Sequence, residues 1–162
     1  MPKRKYRVIS EWYVSEFCGL NYPPGTWFTN VPLGEAKIYD ILGLTEEEKK
    51  MITKPFRPVV DALVLLDQEV HLIEAKIRDD RGKIEQLLLY EYLFPRTPEF
   101  QAHANKRIRK ILLTPKPAGD FEKFLARFGI EIVYYRPAWI EEYLGSLEAK
   151  YRRITGYSVS FD

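Results

Sequence analysis

Cysteine is all but missing from this 162-residue chain, where Cys18 stands alone. A single thiol excludes a disulfide framework and any four-cysteine zinc or iron–sulfur site within one chain. Apolar runs are short, and none approaches the roughly 20 residues of a membrane span. No segment has the form of a secretory signal. These absences point to a soluble, cytoplasmic protein. No sign of charge dominates either: 25 Lys and Arg stand against 23 Asp and Glu, for a net +2. The total therefore predicts no strong binding to polyanions. Local clusters, Lys3-Arg4-Lys5, Lys106-Arg107 with Arg109-Lys110, and Arg152-Arg153, read singly as solvated surface. A Gly-rich phosphate loop is lacking, which removes support for an enzyme acting on nucleotides. Repeats and low-complexity linkers are absent, and the length suits one domain over 1–162 with a self-sufficient core.

What is present centres on residues 56–77. Two apolar runs flank Asp67-Gln68, a two-residue hairpin turn. That turn places Leu66 opposite Glu69, Leu65 opposite Val70, Leu63 opposite Leu72, Asp61 opposite Glu74 and Val59 opposite Lys76. Strand side chains alternate, so Asp61, Glu74 and Lys76 share one face. Val60, Ala62, Val64, Ile73, Ala75 and Ile77 occupy the other. Both faces are mainly apolar, as in a central strand pair covered on both sides. Unpaired charge is expensive in such a place. A divalent cation resolves two adjacent carboxylates most cheaply, since otherwise one is driven to protonate. Mg²⁺ or Mn²⁺ suits such hard oxygen ligands.

Asp61, followed after a hairpin by Glu74-Ala75-Lys76 on an apolar strand, resembles the signature of the PD-(D/E)XK nuclease superfamily, with the proline displaced to Pro58. The chain holds internal controls. Glu35-Ala36-Lys37 opens a helical pattern and Glu148-Ala149-Lys150 sits late in another; only Glu74-Ala75-Lys76 has an aspartate in hairpin register. A cross-strand ion pair on a half-solvated sheet is the plainer account, and the two apolar faces weigh against it. Gln86 and Tyr90, four apart and so on one helix face, resemble the Gln-x-x-x-Tyr element of RecB-like nucleases and their viral exonuclease relatives. The chain departs from that group in lacking an early helical histidine, having only His71 and His103.

The resemblance implies a metal-dependent nuclease cutting DNA. Asp61, Glu74 and the Ala75 carbonyl would hold Mg²⁺ or Mn²⁺. Lys76 would orient or deprotonate water or stabilise charge, and Gln86 would support the lysine or a phosphate. Glu11 of the first helix would complete the site, with Glu16 close behind and Glu35 as a further candidate. DNA is the implied partner, a membrane is not, and self-association stays open. The alternative is a non-cleaving nucleic-acid-binding or assembly module on the same fold.

In chain order, helical spacing of Tyr6, Ile9, Tyr13 and Phe17 predicts a helix over 4–18 stopped by Gly19. A strand follows over 26–31, then a helical insertion over about 34–55 with a capping box at Thr45–Glu48. After the hairpin and a polar turn at 79–82 comes a helix from 83 to 94, stopped by Pro95. A strand over 108–114 leads to a helix capped by Asp120, whose Phe121, Phe124, Leu125 and Phe128 read as a core stripe. Next come a strand over 130–135, a helix from Pro137 to about Tyr151, and an edge strand or partner-binding tail over 154–161. The fold expected is α/β, a mixed central sheet flanked by helices. Its restriction-endonuclease-like αβββαβ core carries an added αβα extension.

Overall fold

The hairpin forms at Asp67-Gln68 in the expected register. Leu66 N–H donates to the Glu69 carbonyl at 2.9 Å, and the ladder pairs Leu65 with Val70, Leu63 with Leu72 and Ala62 with Ile73. The computed structural model describes residues 3–35, 45–48, 57–77 and 83–157. Outside it lie the side chains before Val8, most of the expected insertion (36–44 and 49–56), the turn at 78–82 and the tail at 158–162. At the described part of the insertion the capping box is present: Thr45 N–H donates to Glu48 Oε2 at 2.8 Å, and Glu48 N–H to Thr45 Oγ1 at 3.3 Å.

The elements are α1 (Lys3–Asn21), β1 (Trp27–Pro32), β2 (Val59–Leu65), β3 (Glu69–Ala75), α2 (Lys83–Leu93), β4 (Arg107–Thr114), α3 (Asp120–Ala126), β5 (Ile130–Tyr134) and α4 (Ala138–Thr155). The sheet runs β1-β2-β3-β4-β5, antiparallel through β3 and parallel from β3 to β5. It is therefore a mixed sheet with β3 at its centre.

Helices cover both faces, because both faces of the hairpin are apolar. Ala62, Val64, Ile73, Ala75 and Ile77 pack against Tyr13, Val14 and Phe17 of α1 and Ile140, Tyr143 and Leu144 of α4. Leu63, Val70 and Leu72 pack against Leu87 and Tyr90 of α2 and Leu125 of α3. Each fully buried side chain of this size stabilises the layer by about 1.5–3 kcal/mol. Among the described residues no helix is long and apolar enough to cross a membrane.

Several local expectations are corrected. Val60 joins the cluster of Leu63, not that of Ala62, so the strand alternation slips at Asp61. The cause lies across the ladder: β1 pairs Thr29 with Ala62 and Val31 with Val60, skipping Asn30 and Asp61. Asn30 adopts φ +53°, the left-handed region that breaks strand geometry. Gly19 does not stop α1, which continues to Asn21, where Asn21 Nδ2 caps the Phe17 carbonyl at 2.8 Å. Asp120 is the first residue of α3 rather than its cap, which is Gly119 with no side-chain bond. The expected core stripe buries only Leu125, while Phe124 and Phe128 are 45% and 41% exposed. A helix of seven residues sets little of its length on the sheet. Helix α4 runs on through Ile154 to Thr155 and ends on left-handed Gly156, which overturns a strand beginning at 154.

The slip at Asn30 makes a specific demand. Asn30→Gly should leave urea unfolding nearly unchanged, whereas Asn30→Val, β-branched in a left-handed position, should lower stability by about 1–3 kcal/mol.

Candidate active site

Where the β1–β2 ladder skips Asp61, two carboxylates take over the backbone bonding. Asp61 N–H donates to Glu74 Oε1 at 3.2 Å, and Ala75 N–H donates to Asp61 Oδ2 at 2.9 Å. Each acid thus satisfies an amide on the strand of the other. This exchange needs the hairpin register that sets Asp61 beside Glu74, and the local break that releases the Asp61 amide. It sits at the carboxyl end of β3, the end where open α/β sheets commonly bind ligands.

Glu74 is 1% exposed, while Asp61 is 25% exposed. The counter-ion is a lysine that the hairpin does not contain. Lys83 Nζ lies 2.8 Å from Glu74 Oε2 and 3.7 Å from Asp61 Oδ2. Lys83 opens α2, and with Leu87 and Tyr90 it forms the i, i+4, i+7 stripe that faces the sheet. Burial, followed by the charge of Asp61, pushes the Glu74 carboxyl up to about 7, and the Lys83 ammonium opposes the rise.

Asp61 and Lys83 open into a cavity of about 350 Å³ with Ser10, Glu11 and Val14 of α1, Asn30 of β1 and Val59 of β2. Helices α1 and α2 cover opposite faces, so this cavity lies at the end of the sheet. Glu11 is thereby brought to the site. Glu16 is not: its carboxylate accepts from Tyr135 Oη at 2.5 Å and Trp139 Nε1 at 2.8 Å, tying α1 to β5 and α4. Glu35 is exposed beyond the end of β1.

Tyr90 is buried, and its hydroxyl donates to the Val59 carbonyl at 2.8 Å. Burial and the nearby Glu74 and Asp61 charges raise its pKa far above the ordinary value. Gln86 does not share that position; it is exposed on the flank of α2. Lys76 follows Glu74 and Ala75 on the sheet, and its ammonium lies 4.8 Å from the centroid of the Phe121 ring in α3, a cation–π contact. His71 lies on the opposite face from Glu74, as expected, bonded through Nδ1 to Tyr22 Oη at 2.8 Å and through Nε2 to Glu69 at 2.7 Å.

Lys83 is the residue sequence reasoning missed. Its signal was legible, since a lysine begins the buried stripe of α2 three residues before Gln86. Asn30 carried no such signal.

Hard oxygens suit a divalent cation here. With one oxygen of each acid holding an amide, Asp61 Oδ1 and Glu74 Oε2 would be left to hold a cation, and an ammonium already rests on the second. The donor set fits a cation. Among the described residues no three His, Cys, Asp or Glu side chains converge to hold one alone, so water or a phosphate would complete the shell. The chain matches no protein-family model, no curated protein and no solved structure.

The raised Glu74 pKa makes stability depend on pH. Folding favours the protonated acid, so this contribution is complete below about 4.5 and is lost as pH rises through about 7. Urea unfolding of the metal-free protein between pH 4.5 and 7.5 should show wild type losing stability relative to Glu74→Gln, with a slope of at most about 1.4 kcal/mol per pH unit for one proton. Parallel curves would place the titration elsewhere.

Proposed function

We propose that the chain is a Mg²⁺- or Mn²⁺-dependent nuclease hydrolysing DNA phosphodiester bonds, built on the restriction-endonuclease-like core of the PD-(D/E)XK superfamily. The observation that carries the reading is the reciprocal Asp61–Glu74 pair, set at the carboxyl end of β3 and opening into the cavity that Glu11 lines. Asp61, Glu74 and the Ala75 carbonyl are the residues to hold the ion. When bound, a divalent cation there supplies Lewis-acid charge for the phosphate and acidifies water.

The chain's own groups do the rest. The two amide bonds fix both carboxylates, so little reorganises when charge builds in the transition state. Glu11, at the cavity wall, orients water or a further ligand. Hydrolysis consumes one water: its oxygen bonds to phosphorus as the bond to the leaving oxygen breaks, and the leaving oxygen takes the proton. Salt should weaken substrate affinity, because phosphate contacts dominate it. Few of those contacts come from the basic cluster at 106–110, which opens β4 beside Glu69, at the other end of β3 from Glu74. Lys106 donates to the Leu66 carbonyl, Arg109 pairs with Glu69 and Glu131, and Lys110 is buried on Glu91. Arg107 alone of the four is exposed.

A second reading, a non-cleaving nucleic-acid-binding module, draws on one observation: Lys83 already neutralises the carboxylates.

Linear, circular and branched DNA, with RNA alongside, should be incubated with Mg²⁺, Mn²⁺ or EDTA. We expect cleavage of DNA with either metal and none with EDTA. Asp61→Asn, which keeps an acceptor for the Ala75 amide, should fold yet lose cleavage and most of the Mn²⁺ heat by calorimetry. Glu11→Gln should cut at least about a hundredfold more slowly, the lower edge of such general acid–base effects. Glu16→Gln should cut normally but melt at a lower temperature. No cutting by wild type on any substrate would favour the non-cleaving module.

A further inference from the structure

The Glu-x-Lys spacing assigns the site's ammonium to Lys76, but two lysines reach this region and they are placed differently. The Lys76 ammonium lies on the face of the Phe121 ring. The Lys83 ammonium touches Glu74, stands within ion-pair distance of Asp61, and lines the cavity with Glu11. We propose that Lys83, seven residues beyond the Glu-x-Lys lysine and on a different element, is the catalytic lysine of this site. The proposal rests on the nuclease reading and specifies which cation serves it.

Glu74 is almost wholly buried, whereas Lys83 and Asp61 are 19% and 25% exposed. A phosphate entering the cavity therefore meets the Lys83 ammonium before it meets Glu74. In the metal-free state that ammonium occupies Glu74 Oε2, one of the two carboxylate oxygens left for a divalent ion, so the two cations compete for it. The Lys83 ammonium would give up Glu74 Oε2 to a bound ion. Its flexible four-carbon stem then lets the charge turn toward a non-bridging phosphate oxygen, keeping its own protons. Lys76, just past the carboxyl end of β3, rests on the Phe121 ring of α3 instead.

Competition and catalysis give separable readouts. In Lys83→Met, Mn²⁺ should bind by calorimetry as tightly as in wild type or several-fold more tightly, because the competing charge is gone. Cleavage of labelled duplex DNA at saturating Mn²⁺ should nonetheless fall roughly 10²–10⁴-fold. Lys83→Arg should recover part of that loss, and Lys76→Met should cut at the wild-type rate. Lys83→Gln keeps a donor for Glu74 without the charge, and it should repeat the result should the methionine variant not fold. A Lys83 variant that loses Mn²⁺ affinity together with cleavage would make the lysine a structural strut and overturn the assignment. So would a folded Lys83→Met that cuts as wild type does while Asp61→Asn is inactive. A wild type that binds Mn²⁺ and cuts no nucleic acid would overturn the nuclease reading itself, and the catalytic role of Lys83 with it.

Discussion

A buried carboxylate beside a second one sets the terms for this structure. Removing such charge from water costs several kcal/mol per ion unless hydrogen bonds and a counter-ion offset it. Glu74 meets that demand with the Asp61 amide on one oxygen and the Lys83 ammonium on the other. Asp61 meets it with the Ala75 amide. The surrounding irregularities serve this arrangement. The β1–β2 ladder skips Asp61, Asn30 turns left-handed, Val60 changes face, and the Val59 carbonyl is taken by the Tyr90 hydroxyl. At this end of β2, side chains hold what backbone ladders hold elsewhere.

The layer architecture explains why that end is open. Helix α1 crosses one face and α2 the other, so among the described residues no further helix lies over the end where Ser10, Glu11, Asp61 and Lys83 gather. A parallel arrangement from β3 to β5 brings strand carboxyl ends to the same side, where loops and helix starts deliver side chains. The cavity is thus a product of topology, while its chemistry comes from four elements, α1, β2, β3 and α2. Elsewhere, charged groups serve packing. Glu16 fastens α1 to Tyr135 and Trp139, and Lys110 is sequestered between Glu91 and the Phe128 carbonyl.

Side-chain alternation and turn chemistry are local properties, so the element order, the Asp67-Gln68 turn, the hairpin register and the two apolar faces were all legible in the amino-acid sequence. The same holds for the proximity of Asp61 to Glu74, which follows from that register by counting. Helix ends were less legible, because they depend on single residues: Asn21 extends α1 past Gly19, and Gly119 displaces Asp120 as the cap of α3. The phenylalanine stripe of α3 misled for a related reason. Periodicity reports which residues share a face, but the length of helix resting on the sheet decides how many are buried.

Only the tertiary structure decided which lysine stands by the carboxylates. Lys76 is two residues from Glu74 in sequence, yet its stem leads to Phe121; Lys83 is nine residues away, and the docking of α2 carries its ammonium to 2.8 Å. The selection between Glu11 and Glu16 has the same origin, since both lie on α1 and only the packing of that helix against β2 and α4 sends one to the cavity and the other to Trp139. Sequence determines which groups share a strand or a helix face. Contacts between faces depend on how whole layers pack, and that is a property of the folded chain.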